Sequence, residues 1–275
     1  LLYAAYQFKD VTATQATAFF DGENLCAGRS MMGNSTVNNK LTMGSGTYTK
    51  VYGGKTEGTG TPETDQNQSR DNSVTVTGGT ITNALYGGYT DFASGTATGN
   101  TVTITGGKID EVYGGYSASG AATHNTVNLG DGKNAMAAGY RLSHILGGNQ
   151  SSDVTGNTLN VKTNVDVRAI HNFATINFYN NGSFDKTKPF LTLDGSSSTK
   201  IKSLSGVNLT GFEGLQGTYT LINKNTGGFT INDGKRTKTE MMGVTERSIF
   251  IDSANKNLLY AAYQFKDVTA TQATA

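Results

Sequence analysis

The sequence predicts an all-β protein, a parallel β-solenoid that winds as a stack of coils, with a short N-terminal helical cap and a terminal strand. Three observations carry that expectation. The pattern Asn-X-apolar-X-apolar recurs from Asn39, Asn72, Asn100, Asn125 and Asn157, with starts 33, 28, 25 and 32 residues apart. Between these lie Tyr52-Gly53-Gly54, Tyr86-Gly87-Gly88 and Tyr113-Gly114-Gly115, with Leu146-Gly147-Gly148 as a degenerate fourth. Finally, the opening LLYAAYQFKDVTATQATA returns, letter for letter, as residues 258–275.

In chain order, residues 1–18 open with strand chemistry. Leu2, Ala4, Tyr6 and Phe8 form one apolar face of a period-2 pattern, repeated by Leu259, Ala261, Tyr263 and Phe265. Residues 19–38 read as a cap or short helix, because Phe19, Phe20, Leu25, Cys26 and Met31 fall loosely on one side, although Gly22 and Gly28 weaken a helix there. Residues 39–180 are the repeats. Each has a strand with one buried face (Val74 and Val76, Val102 and Ile104, Val127 and Leu129, Leu159 and Val161). The turns Gly78-Gly79 and Gly106-Gly107 follow. Glycine pairs are expected to supply positive φ where the chain turns. Repeats this short cannot bury an apolar face alone, but stacked at about 4.8 Å they share one core. The recurring asparagine is then expected to form a stacked amide ladder or to take the left-handed position at each corner. Residues 181–257 carry short strands parted by Gly, Ser and Asn, and are expected to close the stack. Within them, residues 253–257 read as a hairpin turn leading into the second terminal copy.

Composition narrows the class. The net charge of +1 suggests no nucleic-acid partner. Only 16% of residues are charged, below the roughly 25% usual for globular domains, and 36 Gly with 2 Pro suit tight-turned β structure outside the cell. One cysteine, Cys26, rules out an intrachain disulfide and is expected to be a small buried apolar residue. No run of 18 apolar residues occurs, so no helical membrane span is expected. The chain opens on Leu1 without a signal peptide and reads as a mature or excised piece.

No constellation points to catalysis, to a metal or to a cofactor. Asp110 and Glu111 are the nearest to an acid/base pair, yet the matching positions in earlier coils are Asn83 and Thr49, so no carboxylate column recurs. His124, His144 and His171 lack metal-ligand spacing, and Gly44-Ser45-Gly46 lacks the Lys-Ser/Thr of a phosphate loop. Acidic residues 63–71 offer at most adventitious calcium. Tyr52, Tyr86, Tyr89, Tyr113 and Tyr116, with Tyr140, could form an aromatic column that binds glycan; a structural ladder is the preferred reading.

The stretch NSVTVTGGTITNALYGGYTDFASGTATGNTVTITGGKIDEVYGGYS resembles the repeats of bacterial autotransporter-like surface adhesin passengers. The match covers about residues 39–178, in strand, Gly-Gly turn, Tyr-Gly-Gly-Tyr corner and Gly-Asn-Thr-Val restart. That resemblance implies an extracellular, right-handed solenoid at the bacterial surface with a structural or adhesive role and no catalytic residues. The leading expectation is a structural subunit of an extracellular filament or surface fibre, not an enzyme. Its partner is itself, head to tail, through the duplicated strand. The strand is expected to be donated by a neighbour, as in strand addition to an open sheet edge. The alternative is a covalent tandem array acting as an adhesin for a host or glycan surface; a polysaccharide-active solenoid is a distant third.

Overall fold

A computed structural model describes residues 12–14, 19–31, 35–58, 67–92, 94–181, 184–196, 199–212 and 216–265. Among them the chain is all-β, with a single short 3-10 turn at Leu204–Gly206. It forms parallel sheets in an arrangement compatible with a β-solenoid.

The first sheet has eight strands: Thr12–Thr14, Lys40–Met43, Ser73–Val76, Thr101–Ile104, Thr126–Leu129, Thr158–Val161, Thr175–Tyr179 and Val207–Thr210. Each pairs in parallel with the next. A second sheet holds the long strands Asn24–Ser30, Thr47–Thr56, Thr80–Thr90 and Lys108–Ser117, then Arg141–Leu146, Val165–His171, Leu191–Leu193 and Gly217–Lys224. A narrow third sheet joins Thr36–Val37, Ser69–Arg70, Ala97–Thr98 and Ala122–Thr123.

The period-2 pattern makes the core. Register stacks Leu41, Val74, Val102, Val127, Leu159, Ile176 and Val207 in one column. From the facing sheet, Leu25, Val51, Leu85, Val112, Ile145 and Ile170 form another. All of these are buried, each contributing about 1.5–3 kcal/mol relative to exposure. A one-residue slip in any strand would turn its apolar set to water, so register is firmly set.

The five recurring asparagines do form the ladder. Asn39, Asn72, Asn100, Asn125 and Asn157 are all 0% exposed. The amide Nδ2 of each of the first four donates to Oδ1 of the next rung, at 2.8, 3.0, 3.0 and 3.3 Å. The same Oδ1 also takes the backbone N–H of the preceding rung. The left-handed position falls one residue earlier, on Asn38, Asp71, Gly99, His124 and Gly156. Asparagine, aspartate and glycine tolerate it there.

The Tyr-Gly-Gly glycines behave differently from expectation. They lie inside the strands Thr47–Thr56, Thr80–Thr90 and Lys108–Ser117, and none has positive φ. What they supply is room. A Cβ on Gly54, Gly88 or Gly115 would sit 2.4–2.5 Å from the side-chain nitrogen of Asn72, Asn100 or Asn125. A Cβ on Gly53 or Gly87 would sit 2.3 or 2.4 Å from the carbonyl of the next coil's matching glycine. So the glycine motif and the asparagine motif are two sides of one contact. Positive φ is needed instead at Gly79 and Gly107, the turns into the long strands, at 88° and 95°.

The helical cap expected over residues 19–38 is corrected. Its described residues hold Phe19–Asp21, antiparallel to Asn24–Ser30, joined through Gly22 at φ 62°. The loose helical spacing of the apolar residues gives way to a two-residue hairpin turn and to in-register packing of Leu25 on Val51 and Cys26 on Tyr52.

Candidate functional site

The second copy of the terminal segment is an inner strand. Leu258–Phe265 lies between Gly217–Lys224 and Thr245–Ile251, antiparallel to both, and Thr237–Met242 forms the outer edge. Leu259, Ala261 and Tyr263 are buried, each facing a partner on either side: Ile222 and Ile251, Tyr219 and Ile249, Gly217 and Arg247. The Tyr263 ring lies parallel to Phe212 with centroids 6.1 Å apart. Phe265 departs from the expected buried set: it is 57% exposed, beyond the end of Gly217–Lys224. The turn into this strand is tight. The Asp252 carboxylate accepts the N–H of Ala254 at 2.7 Å and of Asn255 at 3.0 Å.

Side chains of this antiparallel group also reach the last strand of the first sheet. Lys238 donates to the carbonyls of Ser205 and Val207, and Arg247 to that of Leu209. These are carbonyls on and beside the last strand of the first sheet, which would otherwise be open to edge pairing. Glu240 holds both cations.

The first copy splits differently. Leu2, Ala4, Tyr6 and Phe8 lie outside the described residues. Its later part, Thr12–Thr14, is a strand parallel to Lys40–Met43 and opens the first sheet. Among the described residues, then, the first part of the segment, in its second copy, pairs near the C-terminal end of the chain, and Thr12–Thr14, in its first copy, pair near the N-terminal end.

The five tyrosines gather as a ribbon on the long-strand sheet. Tyr52, Tyr86 and Tyr113 stack with centroids 5.0 and 5.2 Å apart. Tyr89 and Tyr116 form a second column at 5.0 Å, edge-on to the first. Tyr86 has both faces covered, and each of the others has at least one. Cys26, fully buried, continues the first column, and the Lys55 ammonium sits 5.1 Å from the Tyr52 ring while pairing with Glu57. Burial holds the phenols of Tyr52, Tyr86 and Tyr113 far above their ordinary value. Burial, with Asp91 next in weight, pushes Tyr89 up to about 12. Tyr140 is elsewhere; its hydroxyl accepts the Asp166 N–H at 2.8 Å.

Of the remaining candidates, Glu111, His144 and His171 are neighbours on the second sheet. Glu111 accepts from the Tyr113 hydroxyl at 2.8 Å and has Ala84 and His144 as cross-strand neighbours. His124 is a corner residue, and His144 and His171 stack with centroids 6.2 Å apart. Among the described residues no group of His, Cys, Asp or Glu is placed to hold a metal, and no helix is long and apolar enough to cross a membrane.

Sequence reasoning missed one polar column. Asn128, Asn160, Asn177 and Asn208 link amide to amide at 2.8, 2.8 and 2.9 Å along the outer face of the first sheet. The signal was present as a second asparagine three residues after Asn125 and Asn157. Against family models, curated proteins and solved structures, the chain has no match.

Proposed function

We propose that this chain is a structural unit of an extracellular bacterial filament or surface fibre, a right-handed solenoid rod whose units are joined end to end by the 18-residue segment. One observation supports the reading: among the described residues, Leu258–Phe265 of the second copy pair near one end of the chain and Thr12–Thr14 of the first copy near the other. A single copy between two units would therefore complete the first and begin the second. The five-residue turn and its Asp252 bonds favour a continuous chain through the joint over a strand donated by a separate subunit. Gly, Thr and Asn richness, low charge and a lone cysteine support a place outside the cell, as does the likeness of the repeats to adhesin passengers. Glycan adhesion is the weaker reading, because the tyrosine faces stack on one another.

A chain ended at Asn257 tests the joint. It keeps one copy of the filling strand at its N-terminus and leaves the slot between Gly217–Lys224 and Thr245–Ile251 open. It should assemble head to tail, release one band on a boiled denaturing gel, and lose assembly with Tyr6→Asp. The 275-residue chain, with its slot filled in cis, should stay unassembled. A folded 1–257 chain that remains monomeric at high concentration would overturn the reading.

A further inference from the structure

The C-terminal antiparallel sheet overhangs the stack by one row. Directly opposed residues of antiparallel strands share a face. On the core side, the row of Ile249 and Ala261 is buried, and Arg247 and Tyr263 follow it with Tyr263 also buried. The next row on that side is Met242, Thr245 and Phe265. Gly217–Lys224 begins opposite Tyr263 and does not reach this row. Met242 and Phe265 are 37% and 57% exposed, and Val244, in the turn beside them, is 52% exposed. Among the described residues, a core face thus runs past its own core.

We propose that this overhang seats a second copy of the unit, the one that follows in the same chain; the proposal rests on the joint described above. Phe265 ends its strand, and the residues that match the opening strand Thr12–Thr14 begin at residue 269, four steps on. Four residue steps span at most about 14 Å. The N-terminal coil of the following unit is therefore held against the end that carries Met242, Val244 and Phe265. Clustered exposed apolar side chains mark such a contact. The opposite face of the same sheet end carries Met241, Glu246 and Gln264 in cross-strand order, a mixed surface suited to water.

Adjacent Met241 and Met242 give a built-in comparison, since sulfoxide formation follows exposure. The test uses a two-unit chain, residues 1–257 followed by 1–275, treated with dilute hydrogen peroxide and read by tandem mass spectrometry. Thr239→Ser in the first unit separates its peptide from that of the second. Met242 of the first unit should oxidise several-fold more slowly than Met242 of the second, while Met241 reacts alike in both. Equal rates for Met242, with the amides of the inner copy protected, would remove the seat and leave the joint standing. An unprotected inner copy would remove both.

Discussion

Replacing Asn100 by alanine tests the ladder at its most committed rung. The side chain is 0% exposed and makes four hydrogen bonds: it accepts from Asn72 N and Nδ2, and donates to the Ser69 carbonyl and to Asn125 Oδ1. Some partners keep a substitute. Asn72 Nδ2 still reaches the Thr36 carbonyl and Ser69 Oγ, and Asn125 Oδ1 still receives the Asn100 N–H. The Asn72 N–H and the Ser69 carbonyl lose the bonds named here. Two buried groups deprived of a partner cost about 1–3 kcal/mol each, so the expected loss is about 2–6 kcal/mol, a large share of the roughly 5–15 kcal/mol that holds a domain. Asn39 is the control. Its Oδ1 already lacks a partner, and its amide bond ends on an Asn72 oxygen that also takes the Asn39 N–H. Asn39→Ala should cost about 1 kcal/mol, one hydrogen bond's net worth. Urea unfolding followed by circular dichroism reads both. Equal costs at the two positions, or a loss under about 1 kcal/mol at Asn100, would refute the idea that the amides act as a chain.

Two further outcomes follow from the same geometry. Gly88→Ala should destabilise strongly, because its Cβ would meet the Asn100 amide at 2.4 Å, whereas Gly44→Ala, whose nearest neighbour is Thr77 Oγ1 at 3.5 Å, should be tolerated; thermal melts compare them. Alkali should unfold the chain: folded phenols raised above the ordinary 10.0 keep their protons where the unfolded chain has lost them. Stability is then full below pH 10 and falls above it, by about 1.4 kcal/mol per pH unit for each of the deeply buried Tyr52 and Tyr86. Tyrosinate absorbance should rise together with loss of circular dichroism; tyrosines that all titrate near 10 in a folded chain would contradict the ribbon's burial.

Much of this was legible because two periodicities act at once. Alternation along Val74, Val76, Val102 and Ile104 sets which face is buried, and the recurrence of Asn72 and Asn100 sets which residues stack. The tyrosine ribbon was legible for the same reason, since parallel register carries Tyr52 onto Tyr86 and Tyr113. Other features depend on contacts that no local pattern encodes. Phe19, Phe20 and Leu25 fit a helix loosely, but the pairing of Asn24–Ser30 with Thr47–Thr56 decides for a strand. Gly88 looks like a turn residue until the Asn100 side chain is seen against it. The terminal segment reads as one strand, whereas among the described residues Leu258–Phe265 of one copy pair with Gly217–Lys224 and Thr245–Ile251, and Thr12–Thr14 of the other pair with Lys40–Met43. Only tertiary structure divides it.

Amide hydrogen exchange on the inner copy of a two-unit chain bears most directly on that division. The account predicts slow exchange in the same molecule for both its LLYAAYQF part, paired as Leu258–Phe265 is, and its Thr-Ala-Thr part, paired as Thr12–Thr14 is. Protection of one part only, with the other exchanging at the rate of an unstructured peptide, would mean that a copy serves a single end and that the segment does not join two units.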